Sequence, residues 1–485
     1  MITINTVSDK YFTLDGVQYA TIYQPLAQGL EQIGIYSIYD TKHQLVNSTM
    51  FNEFIVDGVT YSSQALTIAA ILDSVLAKLN SDIDESLSNN VITETYTSFA
   101  DTGLNNILTP RLCRNPISGK IANIYRVAQA HTGYIGSLWM RMSDDNGLTW
   151  TGANDTGTSS EIIAEPGMDL SNQCAFYTPS GRLIVIYKRD DNTTFFDTKY
   201  NYSDDDGITW SASTIFAIPS IDSTRTATPY SNRSVLDGSG NLLIPITQVE
   251  NSVDGGRIYL AKSTDNGATW NTSYKLVLDT FLDTWWSTES VISDFGDGHF
   301  IIIARSCLNN TAGFDVPIIM YSNDYGENWA GTSETLSRAN LDDGDYNSGY
   351  LYLEGAGVTL GGGTVATNCL PDLLAMDFLD SKWIVIPYWI RDNGVETYIY
   401  KVTVINFYDF LENGVNAVVS TVPQTLFDGI KPTANGGNGS GIIIGNDILY
   451  TTVEQIVEYT GGVTNLYTMP IRSNLISKMI HDYFN

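Results

Sequence analysis

The chain has 485 residues and carries 25 Lys and Arg against 54 Asp and Glu, a formal charge of -29. A surface so acidic repels phosphate backbones and anionic lipid headgroups, which excludes nucleic acid and membrane insertion as modes of action. Hydrophobic residues at 43% and charged residues at 16% supply a large core, so a soluble globular protein is expected and a disordered acidic tail is not.

The opening residues lack a basic stretch followed by an apolar run, so no signal peptide is expected. No apolar stretch reaches the ~18 residues of a membrane span. Cys113, Cys174, Cys307 and Cys369 stand about 60 residues apart without a C-x-x-C pair. They read as buried thiols, and neither metal nor cofactor is expected.

Residues 1–100 contain no Arg, three Lys and eleven Asp and Glu, and read as a separate small α+β module. Phe12-Thr-Leu-Asp-Gly-Val-Gln-Tyr19 and Phe54-Ile-Val-Asp-Gly-Val-Thr-Tyr61 each set Asp-Gly between β-prone runs, which predicts two hairpins. Over residues 65–88, Ile68, Leu72, Val75, Leu79, Ile83 and Leu87 recur every three or four positions and form one apolar helical stripe. Either the small sheet or copies of the same helix in a short coiled coil can cover that stripe. Ser86 to Asn105, rich in Ser, Thr and Asn, reads as a linker.

Four segments then repeat one pattern: Ser143-Asp-Asp-Asn-Gly-Leu-Thr-Trp150, Ser203-Asp-Asp-Asp-Gly-Ile-Thr-Trp210, Ser263-Thr-Asp-Asn-Gly-Ala-Thr-Trp270 and Ser322-Asn-Asp-Tyr-Gly-Glu-Asn-Trp329. Their starts are 60, 60 and 59 residues apart, a period that fits a four-stranded antiparallel unit. The chemistry is that of a turn. Asp145, Asp205, Asp265 and Asp324 accept backbone N–H groups across a tight hairpin, the Gly two residues later takes φ > 0, and the Trp plugs the unit. The alternate ligands and closing Glu of a calcium loop are missing from these segments, and Asp342-Asp-Gly-Asp345 is a looser acidic stretch for which a cation site is the minor reading.

These repeats resemble the Asp-box, or BNR, repeats of the sialidase superfamily, where the boxes lie on the outer rim away from the active site. Residues 101–485, divided by the period, give six units. The resemblance implies a mainly β fold, a six-bladed sialidase-like β-propeller following the N-terminal module. Beyond the boxes, Gly361-Gly-Gly, Asp392-Asn-Gly394, Gly436-Gly-Asn-Gly439 and Gly461-Gly462 continue to separate β-rich runs such as Trp383–Ile390.

The same resemblance marks site residues. Ser287-Thr-Glu-Ser-Val through Ala304-Arg-Ser306 is similar to the family's Glu…Arg segment, with Glu289 and Arg305 in the matching positions. A strand, a tight turn and a return strand bring the two to one end of a hairpin, as a ligand site or as an ordinary cross-strand ion pair. Thr109-Pro-Arg-Leu-Cys-Arg114 stands where the family has its early Arg, which points to Arg111 with Arg114 behind it, and Pro387-Tyr-Trp-Ile-Arg391 offers Arg391 as the third. Three convergent Arg suit an anionic sugar, and Trp285 and Trp286 suit stacking on a pyranose face or packing in the core.

The family's acid/base Asp is missing, with His131 nearest to its place, and no Tyr nucleophile precedes Tyr450. Binding of a bacterial surface glycan is therefore the leading expectation. Hydrolysis through Glu289 with Asp283 or Asp294 is the alternative, and a purely structural role the third. Tyr23-Gln-Pro-Leu26 and Val56-Asp-Gly-Val-Thr-Tyr61 resemble the virion-attachment ends of tail proteins from phages of Bacteroidetes. That resemblance implies a phage tail location, contacts with other virion proteins through residues 1–100, and homo-oligomers, trimers foremost.

Overall fold

The computed structural model describes residues 106–128, 135–152, 159–191, 196–217, 226–228, 230–249, 256–279, 285–308, 317–329, 336–337, 349–350, 366–368, 372–378, 381–392, 399–417, 419–422, 439–445, 447–455 and 464–471, with short strands before residue 95. The protein is mainly β. Two compact units divide it, one comprising Met1–Asn89, Asp377–Ser381 and Asn474–Lys478, the other Asn90–Met376, Lys382–Ser473 and Met479–Asn485.

In the first unit, Ile4–Val7, Tyr11–Leu14 and Val17–Ala20 form an antiparallel sheet, and Phe54–Val56 pairs with Val59–Tyr61. Leu14 pairs with Val17 and Val56 with Val59, so both expected hairpins form. The helix expected over residues 65–88 lies outside the described residues.

The second unit is a succession of antiparallel sheets. Sheet 1 (Asn106–Arg114, Ile121–Ala128, Gly136–Ser143, Ser160–Ile163) and sheet 2 (Asp169–Tyr177, Leu183–Asp190, Phe196–Ser203, Thr214–Ile215) meet at one parallel pair, Gly136 with Asp169. Sheet 3 holds a first strand split into Thr226–Thr228 and Val235–Leu236, then Leu242–Val249, Gly256–Ser263 and Asn271–Asp279. Sheet 4 holds Trp285–Asp294, Phe300–Leu308, Ile318–Ser322 and Gly349–Tyr350.

Sheet 5 begins with the split strand Ala366–Asn368 and Leu374–Phe378, followed by Ser381–Asp392, Ile399–Asn406 and Val419–Val422. Sheet 6 comprises Ser440–Ile444, Asp447–Gln455 and Thr464–Ile471, and its fourth strand is Ile92–Glu94. That strand corrects the linker reading of Ser86 to Asn105: Glu94 pairs with Leu466 and Ile92 with Thr468.

Sheets stack face to face, which is why Ile121–Ala128 is buried along its whole length instead of alternating. Ala122, Ile124 and Met140 of sheet 1 pack with Leu170 and Val185 of sheet 2. Further clusters join sheet 2 to 3, 3 to 4 and 4 to 5. Leu112, Ile121 and Trp150 of sheet 1 pack on Leu449 of sheet 6.

Each repeat folds as one turn. Ser143 Oγ donates to Asp145 Oδ1 at 2.8 Å and accepts from the Gly147 N–H at 2.8 Å, and Asp145 Oδ1 accepts from the Thr149 N–H at 2.8 Å. The other three repeat this pattern. Two residues per turn take positive φ, for example Asn146 at 60° and Gly147 at 88°. Trp150 and Trp329 are buried, and Trp210 and Trp270 are partly buried.

The turns also reach sideways. Trp210 joins the cluster between sheets 1 and 2, Trp270 that between 2 and 3, and Trp329 that between 3 and 4. Asp206 accepts from Asn115 Nδ2 of sheet 1 at 2.7 Å, and Asn266 Nδ2 donates to Ser180 Oγ of sheet 2 at 2.6 Å. In sheet 5, which has no box, the α-helix Phe407–Asn413 stands at the same place after the third strand, capped by Asn406 and ended at Gly414. Its Phe407 stacks on Phe295 of sheet 4 at 4.9 Å. Among the described residues no helix is long and apolar enough to cross a membrane.

Candidate functional site

The first strands of sheets 1, 2 and 4 share an irregularity. Each carries one extra residue, between Leu108 and Arg111, Ser171 and Cys174, and Ser287 and Ser290. Such bulges re-aim side chains, and they are common beside functional sites. In sheet 1 the bulge holds Thr109 at φ 49° ahead of Pro110, whose missing N–H suits a break in the ladder.

Arg111 follows directly and is buried. Its Nε donates to the Gln173 carbonyl at 3.2 Å and Nη1 to the Pro110 carbonyl at 3.1 Å, and its guanidinium lies 5.9 Å from the Tyr230 ring centre. Thr109 Oγ1 donates to Gln173 Oε1 at 2.9 Å, and Gln173 Nε2 returns a bond to the Thr109 carbonyl. Burial lowers the Arg111 pKa, while the carboxylates of Glu289 and Asp372 pull it back up.

Glu289 sits in the sheet 4 bulge, buried, and accepts from Arg305 Nη1 of the return strand at 3.3 Å. The expected hairpin pairing therefore forms, with the Arg305 side chain 20% exposed. Arg391 lies on the second strand of sheet 5, its backbone opposite Thr367, and Trp285 and Trp286 lie opposite Leu308 and Cys307. The side chains of these three, together with His131, Asp283 and Asp342–Asp345, lie outside the described residues. Arg114 is exposed and donates to the Gly119 carbonyl at 3.2 Å.

Asp294 ends the strand in which Glu289 sits midway, and there it caps the Gly296 N–H at 2.7 Å. Five residues of strand separate the two carboxyls by about 16 Å. This corrects Asp294 as a partner for two-carboxylate chemistry, which works across roughly 5–9.5 Å. Tyr450, the late tyrosine, is fully buried.

A second Arg–carboxylate pair had no signal in the sequence. Arg233, just before the second half of the split strand in sheet 3, donates from Nη2 to Asp372 Oδ1 at 3.1 Å and to the Gly441 carbonyl at 2.9 Å, and from Nη1 to Ser293 Oγ at 2.9 Å. Its neighbour Asn232 donates to Ser440 Oγ at 2.8 Å, which also accepts the Leu112 N–H at 2.9 Å. Residues from sheets 1, 3, 4, 5 and 6 thus share one hydrogen-bonded network. Cys113 and Cys174 are buried free thiols, and burial pushes both pKa values up, which makes them inert.

Residues 137–354 match the family model of the BNR repeat-like domain. Among solved structures, the fold is similar to that of a protein of unknown function from Dyadobacter fermentans DSM 18053, with TM-score 0.55, 14% identity, and coverage of 79% of this chain and 98% of that one. The Hadza microbial sialidase Hz136 gives TM-score 0.52 and 13% identity over 78% of this chain and 68% of that one. The NanB sialidase from Streptococcus pneumoniae, in complex with 2-[(3-chlorobenzyl)ammonio]ethanesulfonate, gives 0.53 and 10% over 79% and 70%. At these identities the likeness is one of fold. No curated protein matches the chain.

Proposed function

We propose that a BNR repeat-like, sialidase-like chain of this composition is a glycan-recognition protein: a six-bladed β-propeller that binds an anionic sugar of a bacterial surface glycan, displayed on a phage tail by its N-terminal unit. The observation that carries the sugar reading is the sign of the charge in the group formed by Arg111, Glu289 with its partner Arg305, and Asp372 with its partner Arg233. Arg111, Arg233 and Arg305 stand against Glu289 and Asp372, a surplus of one positive charge within a chain of -29. Closure into six blades is supported by cyclic packing, in which each box leans on the preceding sheet and the first leans on sheet 6.

A ligand carboxylate meets the partly exposed face of Arg305, whose other face Glu289 holds in place. Arg111 stays buried and acts as a positioning residue, offsetting the charge of Glu289. In this proposal binding proceeds without turnover: of the two carboxylates expected to partner Glu289, Asp294 stands too far away to share a bond-breaking step, and Tyr450 is buried.

Titration calorimetry with sialyllactose and lactose tests this. Sialyllactose is expected to bind and lactose not, Arg305→Ala to weaken the sialoside roughly tenfold or more, and Arg114→Ala, on an exposed strand end, to leave it unchanged. Equal binding of both sugars, or turnover of a fluorogenic sialoside lost in Glu289→Gln, would overturn the reading.

The setting rests on the first unit, which is separate, acidic and free of Arg up to residue 100. In this proposal it contacts other tail proteins and trimerises, so that weak single sites act together. Light scattering on the full chain and on a chain starting at residue 90 tests it. A monomeric full chain that binds cells no better than the shortened one removes the display role.

A further inference from the structure

Seven large apolar side chains are exposed among the described residues, and five of them share one end of the sheets. Ile117 lies in the turn after the first strand of sheet 1, Leu148, Ile208 and Tyr325 in box turns, and Tyr408 on the helix that replaces a box in sheet 5, all between 43% and 72% exposed. Antiparallel pairing puts the first turn and the box turn of each sheet at the same end. Contacts between sheets then chain these turns into a band: Asp206 with Asn115 and Ser118, Asn266 with Ser180, and Tyr325 against Gly238. Phe295 stacked on Phe407 continues the band to the helix.

Charge on this band is one-sided. Turns 115–120, 144–149, 178–182, 204–209, 237–241, 264–269, 295–299 and 323–328, with the helix Phe407–Asn413, hold twelve Asp and Glu against Lys120 and Arg182, and Arg114 at Gly119, Lys262 at Asp237 and Lys275 at Glu327 reach in from the strands without balancing them. Asp144, Asp204, Asp297 and Glu327 are exposed. Apolar anchors in an acidic setting suit an interface, since scattered apolar residues need no explanation but a cluster does.

The same charge selects the occupant. A second copy would set this acidic band against itself, and an anionic glycan is excluded from this end. We infer that the box-bearing face is a docking surface for a basic, aliphatic-bearing segment of a different protein, with Ile117 and Ile208 flanking Asp206 as its anchors. This inference does not rest on the glycan reading.

The test measures binding of two synthetic peptides to the full chain, one of alternating Lys and Leu and one of alternating Lys and Ser, by fluorescence anisotropy over a salt series. The Lys/Leu peptide is expected to bind at least about fivefold tighter. Ile117→Ser with Ile208→Ser should remove that advantage while leaving melting temperature and sialoside binding unchanged. Asp144→Asn with Asp297→Asn should weaken both peptides and flatten the salt dependence. Equal affinity for the two peptides, or no effect of the serine pair, would reduce the face to unspecific charge and overturn the inference. Concentration-dependent dimers abolished by the serine pair would also overturn it, by making a second copy the occupant.

Discussion

Asp372 takes hydrogen bonds from three sheets at once: from Arg233 Nη2 at 3.1 and 3.2 Å, from the Leu373 N–H at 2.8 Å and from the Gly441 N–H at 2.5 Å. Removing it strands a guanidinium and two buried N–H groups. Asp372→Ala is therefore expected to cost about 3–5 kcal/mol in urea unfolding, and a loss under 1 kcal/mol would show that the network is incidental. A different carboxylate governs the acid limb. Burial works to raise the Asp237 pKa, but bonds from Lys262, Asn241 and Ser239 outweigh it and lower the value from 3.8 to about 2. With the folded value below the unfolded one, its contribution is present above about pH 4 and lost as pH falls through 2. Unfolding midpoints from pH 5 to 2 should fall less steeply in Asp237→Asn; an unchanged slope would remove Asp237 as a cause. Asp145, Asp205 and Asp265 are also lowered, against burial, by their Thr partners, and add to the same limb.

A box is both a turn and a joint, and the two roles have separate costs. Trp329 is buried between sheets 3 and 4, so Trp329→Ala is expected to cost about 3–5 kcal/mol, whereas Trp210, half-buried, costs less. At Gly267 the backbone has φ 80° and a Cβ would run into Ile184 of sheet 2. Gly267→Ala thus destabilises through both strain and packing, by roughly 1–3 kcal/mol, and a neutral result by denaturant titration would contradict the joint. Spacing and turn chemistry made the boxes legible in the sequence, and the resemblance to a family Glu…Arg segment did so for the Glu289–Arg305 hairpin, because each signal lies within a short stretch. Asn406 and Gly414, which bracket the sheet 5 helix, were legible in principle as cap and stop. Arg233 and Asp372 were not, since 139 residues separate them and neither sits in a local pattern. Ile92–Glu94 was hidden because three residues carry no period, and its pairing is set by the distant strand Thr464–Ile471.

At the scale of the molecule, polar and apolar contacts bind sheet 1 to sheet 6: Asn123 Nδ2 donates to Thr451 Oγ1 at 3.0 Å, and Leu449 packs on Trp150. A chain starting at residue 101 keeps these contacts but lacks Ile92–Glu94, while a chain starting at residue 90 keeps both. The shorter chain is expected to melt several degrees lower and to exchange the amides of Thr464–Ile471 faster; identical melting would make the strand dispensable. The origin of that strand also sets a timetable. Glu94 emerges early in synthesis, yet its partner Leu466 comes 372 positions later. At ribosomal speeds of roughly 5–20 residues per second, Ile92–Glu94 waits about 20 to 75 seconds for the strand it pairs with to be made. During that interval the nascent chain can stack sheets 1 to 5 in order while Ile92–Glu94 stays unpaired and open to any passing strand, so the earliest-made strand of sheet 6 is the last to find its place.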